Sequence, residues 1–550
     1  MARFNQDNAA FQVMTPLGAD ALVLLGFRGE ETLSGGFEFT LELGALHGTS
    51  IDSNALVGQP ATVTLRSGGR VRRVINGLAA EFTSLGPGRY LDLYRMVLRP
   101  RLWQLGLVRR NRVFQNQNAV QILGAVTGPV GGAEFQWASP PPDARVYCAQ
   151  HRETDLEFFS RICVEEGYQW YWQHSPGSHM LIISGGASQP DCGDCLFSRD
   201  DGGSVDTPCL QRWEVTQSMV NTGVSLLDSH FELYNQALAG SAQGPAAVKG
   251  GTASYQAVQV PLGPWQENAQ SPARYFDSVS QDGSLNPERL GPIFDAVQNR
   301  AKTMASAAGS RMVVARGSGT AMNLVPGHAF TLTGHPQSDG QWRALAVRHE
   351  GTQEGLFWQG EPTKVSYRCE FEAAPLEVPQ RPWPPRSKPV AASVETAIVV
   401  GPPGQEAFLD CFGRVQVRFW WQPAGDETQP SCWIRVAQFW AGQSYGAFFW
   451  PRCGHEVVVA FEHGDPDRPI IVGSVYNSVN TVPYSMPGNT YIAGLRTKTQ
   501  GGDAAENCHK FTLSDVPGSE IINLHAESML ITNQEKQQFS MRSKSNINIQ

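Results

Sequence analysis

Three groups of side chains in this chain have the types and spacing to do chemistry. Cys192-Gly-Asp-Cys195, with Cys209 downstream and His174 and His179 upstream, has metal-ligand spacing. A structural zinc site takes four thiolate or imidazole donors, and no second Cys-x-x-Cys completes such a tetrad. The cysteines are therefore read as a turn with reduced thiols, and no metal is expected. Glu153, Asp155, Glu157, Glu165 and Glu166 offer carboxylates for acid–base work. Capping, surface charge and hydrogen bonds between elements account for them better. His455-Glu456 begins a zinc-protease pattern, but Val459 stands where the second histidine of His-Glu-x-x-His belongs. His151, His463 and His525 are read, with His455, as packing or hydrogen-bonding groups. No Gly-x-Ser-x-Gly elbow and no phosphate-cradling Gly-x-x-x-x-Gly-Lys-Ser/Thr loop occurs. Neither catalytic residues nor cofactors are expected.

The elements that would have to position such groups are mostly strands. With 56 glycines, 36 prolines and only 17% charged residues, the 550-residue chain is turn-rich and long enough for several domains. Its net charge of −8 argues against a nucleic-acid binder that works by neutralising phosphates. Ten cysteines in a chain this long are no disulfide framework. No apolar run reaches membrane-spanning length, and Met1 to Ala10 lacks a signal peptide's apolar core, so synthesis and assembly in the cytosol are expected.

Period-two patterns recur. Phe37, Phe39, Leu41 and Leu43 alternate with polar residues, and Tyr168, Trp170 and Trp172 alternate with Gln169, Tyr171 and Gln173. Between these runs Thr154 and Glu157 form a capping box for a helix carrying Leu156, Phe158, Phe159, Ile162 and Cys163, closed by Gly167. A second helix is expected from Pro287 to Ser306. Residues 375–389 hold six prolines and read as a semi-rigid spacer. From Gly401 to Asn477, Val415, Val417 and Phe419, then Cys432, Ile434 and Val436, then Val457, Val459 and Phe461 describe short strands between turn formers, the pattern of a closed OB-type barrel. In the closing segment Ile522, Leu524 and Ala526 alternate with polar residues, and Phe539, Met541, Ser543, Ser545, Ile547 and Ile549 then form one face. One ribbon is too narrow to bury a core, so three chains wound about one axis are expected.

The wording of these stretches resembles VgrG proteins, the trimeric spike of the bacterial type VI secretion system, and the homologous spike of contractile phage tails. In the barrel the resemblance rests on Gly413, Arg414, Trp433, Arg435, Trp440, Pro451, Gly454, Asp465, Pro466, Arg468 and Pro469. In the hub it rests on Arg152, Glu153, Phe158, Arg161 and Gly167, with Phe159, Trp170 and Trp172 as core. It implies a mainly β fold: an N-terminal hub of two related β-barrels with inserted helices (1–375), a linker (376–392), an OB-fold barrel (393–478) and the start of an intertwined triple-stranded β-helix needle (479–550). It also implies a homotrimer docked on the hexameric Hcp tube, with a PAAR-type tip protein, baseplate components, effectors and their adaptors as partners. Such a spike is assembled in the cytosol, then injected by sheath contraction, meeting the target membrane only transiently. No nucleic acid is expected, and Ile522, Leu524, Phe539, Met541, Ile547 and Ile549 would form the needle core. The sequence stops at Gln550 within a strand pattern, where the family's needle usually continues. It leaves open whether the protein is short or this form truncated. Rival readings are a phage-tail hub, a spike bearing a peptidoglycan hydrolase, and an OB protein stacking single-stranded nucleic acid on Trp420, Trp421, Trp433 and Trp440.

Overall fold

The computed structural model describes residues 4–136, 143–186, 190–199, 207–258, 263–267, 272–354, 357, 364–382, 388–422, 430–503 and 505–528. They form two units, one of Met1–Ser393 with Phe461–Pro469, the other of Val394–Ala460 with Ile470–Gln550. None of the described helices is long and apolar enough to cross a membrane.

The first unit is organised by one large sheet. Its first six strands are β1 (Phe11–Met14), β2 (Val23–Thr32), β3 (Phe37–Leu46), β4 (Pro60–Ser67), β5 (Arg70–Pro87) and β6 (Leu91–Arg99). They pair in the order β1-β4-β5-β6-β3-β2, and β2 continues onto strands Gly340–Glu354, Lys364–Pro375, Val313–Gly319 and Leu210–Gln217. Residues more than three hundred positions apart are thus ladder neighbours, as with Phe27 and Gly351. Alternation explains which face is inside: in β3 Phe37, Phe39, Leu41 and Leu43 are buried while Glu38 and Glu42 are exposed. The unit also holds helix α1 (Ala119–Thr127), helix α2 (Asp155–Glu166), helix α3 (Ile293–Gly309) and several smaller sheets.

Helix α2 starts and stops where its residues dictate. Thr154 accepts from the backbone N–H of Glu157, whose side chain accepts in return from the Thr154 N–H. Gly167 ends it in the left-handed region at φ 72°. Phe158, Phe159, Ile162 and Cys163 are buried, while Leu156 is half-buried. The next strand departs from expectation. Tyr168 through Trp172 are all buried, not every second residue, because both faces of the segment are covered. The helix expected from Pro287 is also divided: a 3-10 turn, Pro287–Leu290, precedes Pro292, and α3 starts only at Ile293. Proline has no N–H to donate, so the regular hydrogen-bond ladder begins after it.

In the second unit, strands Gln416–Phe419, Glu395–Val400, Glu456–Phe461, Pro469–Val475 and Arg435–Val436 pair in that order. The two outer strands meet through the Val415–Ile434 bridge, with N–H to O distances of 3.1 and 2.8 Å, which closes a five-stranded barrel. Val415, Val417, Phe419, Ile434, Val457 and Val459 are its buried core. The strand around Cys432 is shorter than its alternation suggests, with only Arg435–Val436 in regular pairing. After the barrel, strands Ile492–Arg496, Lys510–Ser514 and Ile521–His525 form a three-stranded antiparallel sheet.

Candidate functional site

Hub-motif residues and barrel-motif residues, read separately in the sequence, converge in one buried cluster of the first unit. Strand Arg145–Thr154 brings in Arg145 and Glu153, α2 brings in Arg161 and Glu165, and the turn 461–469 brings in Asp465 and Asp467. Arg161 donates to Glu153 at 2.7 Å and to Glu165 at 3.0 Å, and its guanidinium lies 5.0 Å over the Phe158 ring. Arg145 donates to Glu165 at 2.8 Å and also pairs with Glu166. Asp465 accepts from Lys388 at 2.9 Å, with Arg274 at 3.4 Å. Asp467 pairs with Lys388 and accepts from the Ala149 backbone N–H at 2.6 Å. Tyr275 lies at the centre, its ring under Arg145 at 4.2 Å and Arg274 at 4.4 Å, its hydroxyl donating to Glu165 at 3.1 Å.

Burial pushes the Glu165 carboxyl up, but Arg145 and Arg161, with Lys388 and Arg274, outweigh it and hold it well below the usual carboxylate range. Asp465 is lowered in the same way, burial being overcome by Lys388 and Arg274. Glu153 is raised, because burial there exceeds the pull of Arg161. Of the roles expected for these carboxylates, Glu157 caps the helix, and Glu153, Asp155 and Glu165 make hydrogen bonds between elements rather than surface charge. Asp155 is buried against Arg110 at 3.0 Å and Arg112 at 3.2 Å, and of the five only Glu157 is exposed. Every carboxylate of the cluster faces a cation, and a small cavity of about 180 Å³ opens beside Arg145, Glu165, Glu166, Arg274 and Tyr275. These ion pairs tie the strand, helix α2 and the turn to one another.

Other motif residues serve turns and packing. Arg152 takes φ 49°, a left-handed conformation held by its N–H donating to Asn111 at 2.6 Å. Arg468 reaches Asp228 at 2.7 Å, and Pro466 is buried beside it in the turn. Arg414 is buried and donates to Asp410 at 2.5 Å. Gly413 takes φ 70°, and a Cβ there would stand 2.8 Å from the Trp450 ring. Gly454 turns at φ 86°. Trp433 and Pro451 are buried, Arg435 is half-buried, and Trp440 is exposed. Ile522 and Leu524 are exposed in the last described strand, whereas Phe539, Met541, Ile547 and Ile549 lie outside the described residues.

Sequence reasoning missed Arg145, Arg274, Tyr275 and Lys388, which no local pattern distinguishes from ordinary surface residues. Lys388 belongs to the proline-rich passage, which is fastened to the first unit: Arg381 donates to the Gly167 carbonyl at 2.8 Å, and Val378 is buried.

The cysteine expectation needs a correction too. Cys192 and Cys195 lie not in a turn but in a strand, Asp191–Leu196, irregular around Gly193 and paired with Ala329–Thr333. Burial pushes their thiols up to about 11 and about 12, and Cys192 donates to the Ala329 carbonyl at 3.1 Å. Among the described residues no group of three or more metal-ligating side chains is assembled. Clefts of about 770 and 1020 Å³ border the outer face of the large sheet. Their walls carry cross-strand ion pairs, Arg348–Glu30 at 3.1 Å and Arg316–Glu372 at 2.8 Å.

Comparison with known proteins names this architecture. The family described as "Phage tail baseplate hub (GPD)" matches residues 30–355. "Type VI secretion system/phage-baseplate injector OB domain" matches residues 410–476. The class is that of a tail-type hub joined to an injector OB barrel. The type VI secretion system spike protein VgrG1b of Pseudomonas aeruginosa is 31% identical over 532 residues, covering 95% of this chain and 68% of that protein. VgrG1a of the same organism is also 31% identical, with 94% and 77% covered. The chain therefore belongs to the VgrG family of type VI secretion system spike proteins. The actin cross-linking toxin VgrG1 of Vibrio cholerae is 29% identical, and the chain spans 45% of it. Among solved structures, the Escherichia coli type VI component c3393, described as similar to the T4 tail proteins gp27 and gp5, shares the fold. Its TM-score is 0.56 at 18% identity, with 84% of this chain and all of that chain covered. A Francisella PdpA–VgrG complex gives TM-score 0.55 at 8% identity, with 94% and 84% covered.

Proposed function

We propose that the chain works as a homotrimeric, non-enzymatic spike that docks on an Hcp tube through its hub and leads it through a target membrane. The observation that carries this reading is the exposure of the final sheet. In Ile521–His525 every residue is exposed, Ile522 at 75%. A narrow sheet with its apolar side in water is only marginally stable, and two further copies would bury that side and pair its open edge. Ile522, Leu524, Phe539, Met541, Ile547 and Ile549 then form the needle core, within a division into hub (1–375), linker (376–392), OB barrel (393–478) and needle start (479–550). The residues of the hub and barrel motifs hold the scaffold, and none needs to react. Assembly in the cytosol precedes injection by contraction. A PAAR-type tip protein, baseplate components, effectors and adaptors complete the machine, and the PdpA–VgrG complex supports a second protein riding on such a spike.

The test is the molar mass of the full chain in solution by light scattering. Three copies are expected, falling to one when Ile522→Asp and Leu524→Asp are combined. A folded single-copy wild type would overturn the reading. A zymogram on peptidoglycan should show no clearing; clearing would return the enzyme-bearing alternative.

A further inference from the structure

The second unit carries another apolar surface that the needle does not use. Residues 437–451 contain six aromatic rings and no charged side chain. The short strands Ala441–Gly442 and Tyr445–Gly446 fold them into a hairpin. Phe439 is 83% exposed and Phe448 71%, with Trp440, Tyr445 and Phe449 also exposed. The hairpin is pre-shaped rather than loose. Gln438 uses both ends of its amide on the Phe449 backbone, donating at 3.3 Å and accepting at 3.0 Å, and the Phe439 and Phe449 rings stack at 6.2 Å. Preorganised aromatic rings at low entropic cost are the material of binding hot spots.

What covers it follows from symmetry. In a closed ring of three, each interface is heterologous: a patch on one copy meets a different patch on the next. The same unit offers that second patch on its post-barrel passage at 476–491, ahead of the needle sheet, where Tyr476, Val479, Met486 and Tyr491 are exposed. We propose that the uncharged hairpin of one copy packs on this apolar passage of the neighbouring copy, clasping the base of the needle. This deepens the homotrimer reading and rests on it.

The test places a benzophenone amino acid at position 448 of the full chain, in an equal mixture with isotope-labelled wild type, and maps the photo-cross-links by mass spectrometry. Cross-links from position 448 to residues 476–491 of another copy are expected. The exposed pair Phe439→Ser with Phe448→Ser should leave the circular dichroism of the chain unchanged and raise the trimer's dissociation midpoint by about tenfold or more. A three-copy particle whose cross-links fall elsewhere, or whose double variant assembles like wild type, would overturn the clasp and leave the homotrimer standing. A single-copy wild type would overturn both. Capture of single-stranded DNA or an oligosaccharide by the hairpin, without self-cross-links, would make it a ligand platform instead.

Discussion

Arg161 shows what a single buried charge does here. Its guanidinium serves two carboxylates, Glu153 and Glu165, and is itself almost wholly buried. Removing it leaves Glu153 without its cation in a low-dielectric interior and Glu165 dependent on Arg145, so Arg161→Met should destabilise the hub transition by about 3–5 kcal/mol in denaturant unfolding. A loss under about 1 kcal/mol would show that the cluster is not a structural keystone. Glu31 makes the pH dependence explicit. Burial raises its carboxyl, but Arg73 and then His349 outweigh it, and it is lowered to about 2 from an ordinary value of 4.5. Its folded form thus binds the proton less readily than the unfolded chain does. The resulting stability, on the order of 3 kcal/mol, is complete above pH 4.5 and is lost as pH falls toward 2. The stability gap between wild type and Glu31→Gln should therefore narrow across that window; a constant gap in acid titration would contradict the assignment. His174, lowered by burial to about 3, adds to acid sensitivity at higher pH, because the unfolded chain takes up its proton first. None of this was legible in advance: Glu31 and His349 meet because β2 pairs with strand Gly340–Glu354, and Arg73 reaches them from β5, which is not a ladder neighbour of either.

Elements with local causes were legible. Helix α2 carries its start in Thr154 and Glu157 and its stop in Gly167, all within hydrogen-bond reach along the chain. Two substitutions separate those causes. Thr154→Ala removes one cap acceptor and should cost about 1 kcal/mol. Gly167→Ala should cost more, about 1–3 kcal/mol. It forces a Cβ into left-handed backbone and toward the Thr303 and Arg381 side chains. Thermal unfolding of both variants checks the order, and the reverse order would mean the C-terminal stop matters less than its geometry implies. Period two likewise located β3 and the barrel core. It misled at Tyr168–Trp172, because alternation reports one wet face and this segment has none. It overran at Cys432, where pairing lasts two residues although the apolar pattern continues.

At the scale of the whole molecule, the two units expose different things. The first buries its motif residues in ion pairs and turns. The second leaves its hairpin and ribbon in contact with water, which a lone chain does not do at such density without an association to follow. Braided strands from three copies would have to unfold together, so the assembled spike should unfold orders of magnitude more slowly than the Ile522→Asp, Leu524→Asp chain. Denaturant-jump kinetics reads this directly, and equal rates would separate mechanical resilience from assembly.

Taken alone, the amino-acid order determined the family, the β-rich class, the closed barrel and the capped helix, because each is written in neighbouring residues whose spacing matches a local geometry. Only tertiary structure decided that the hub motif and the Asp465–Pro469 turn share one charged cluster, that Lys388 is a buried partner rather than a linker side chain, and that Cys192 and Cys195 lie in a strand. Those outcomes depend on which distant strands pair and on what is excluded from water between them, and side-chain periodicity carries no record of either.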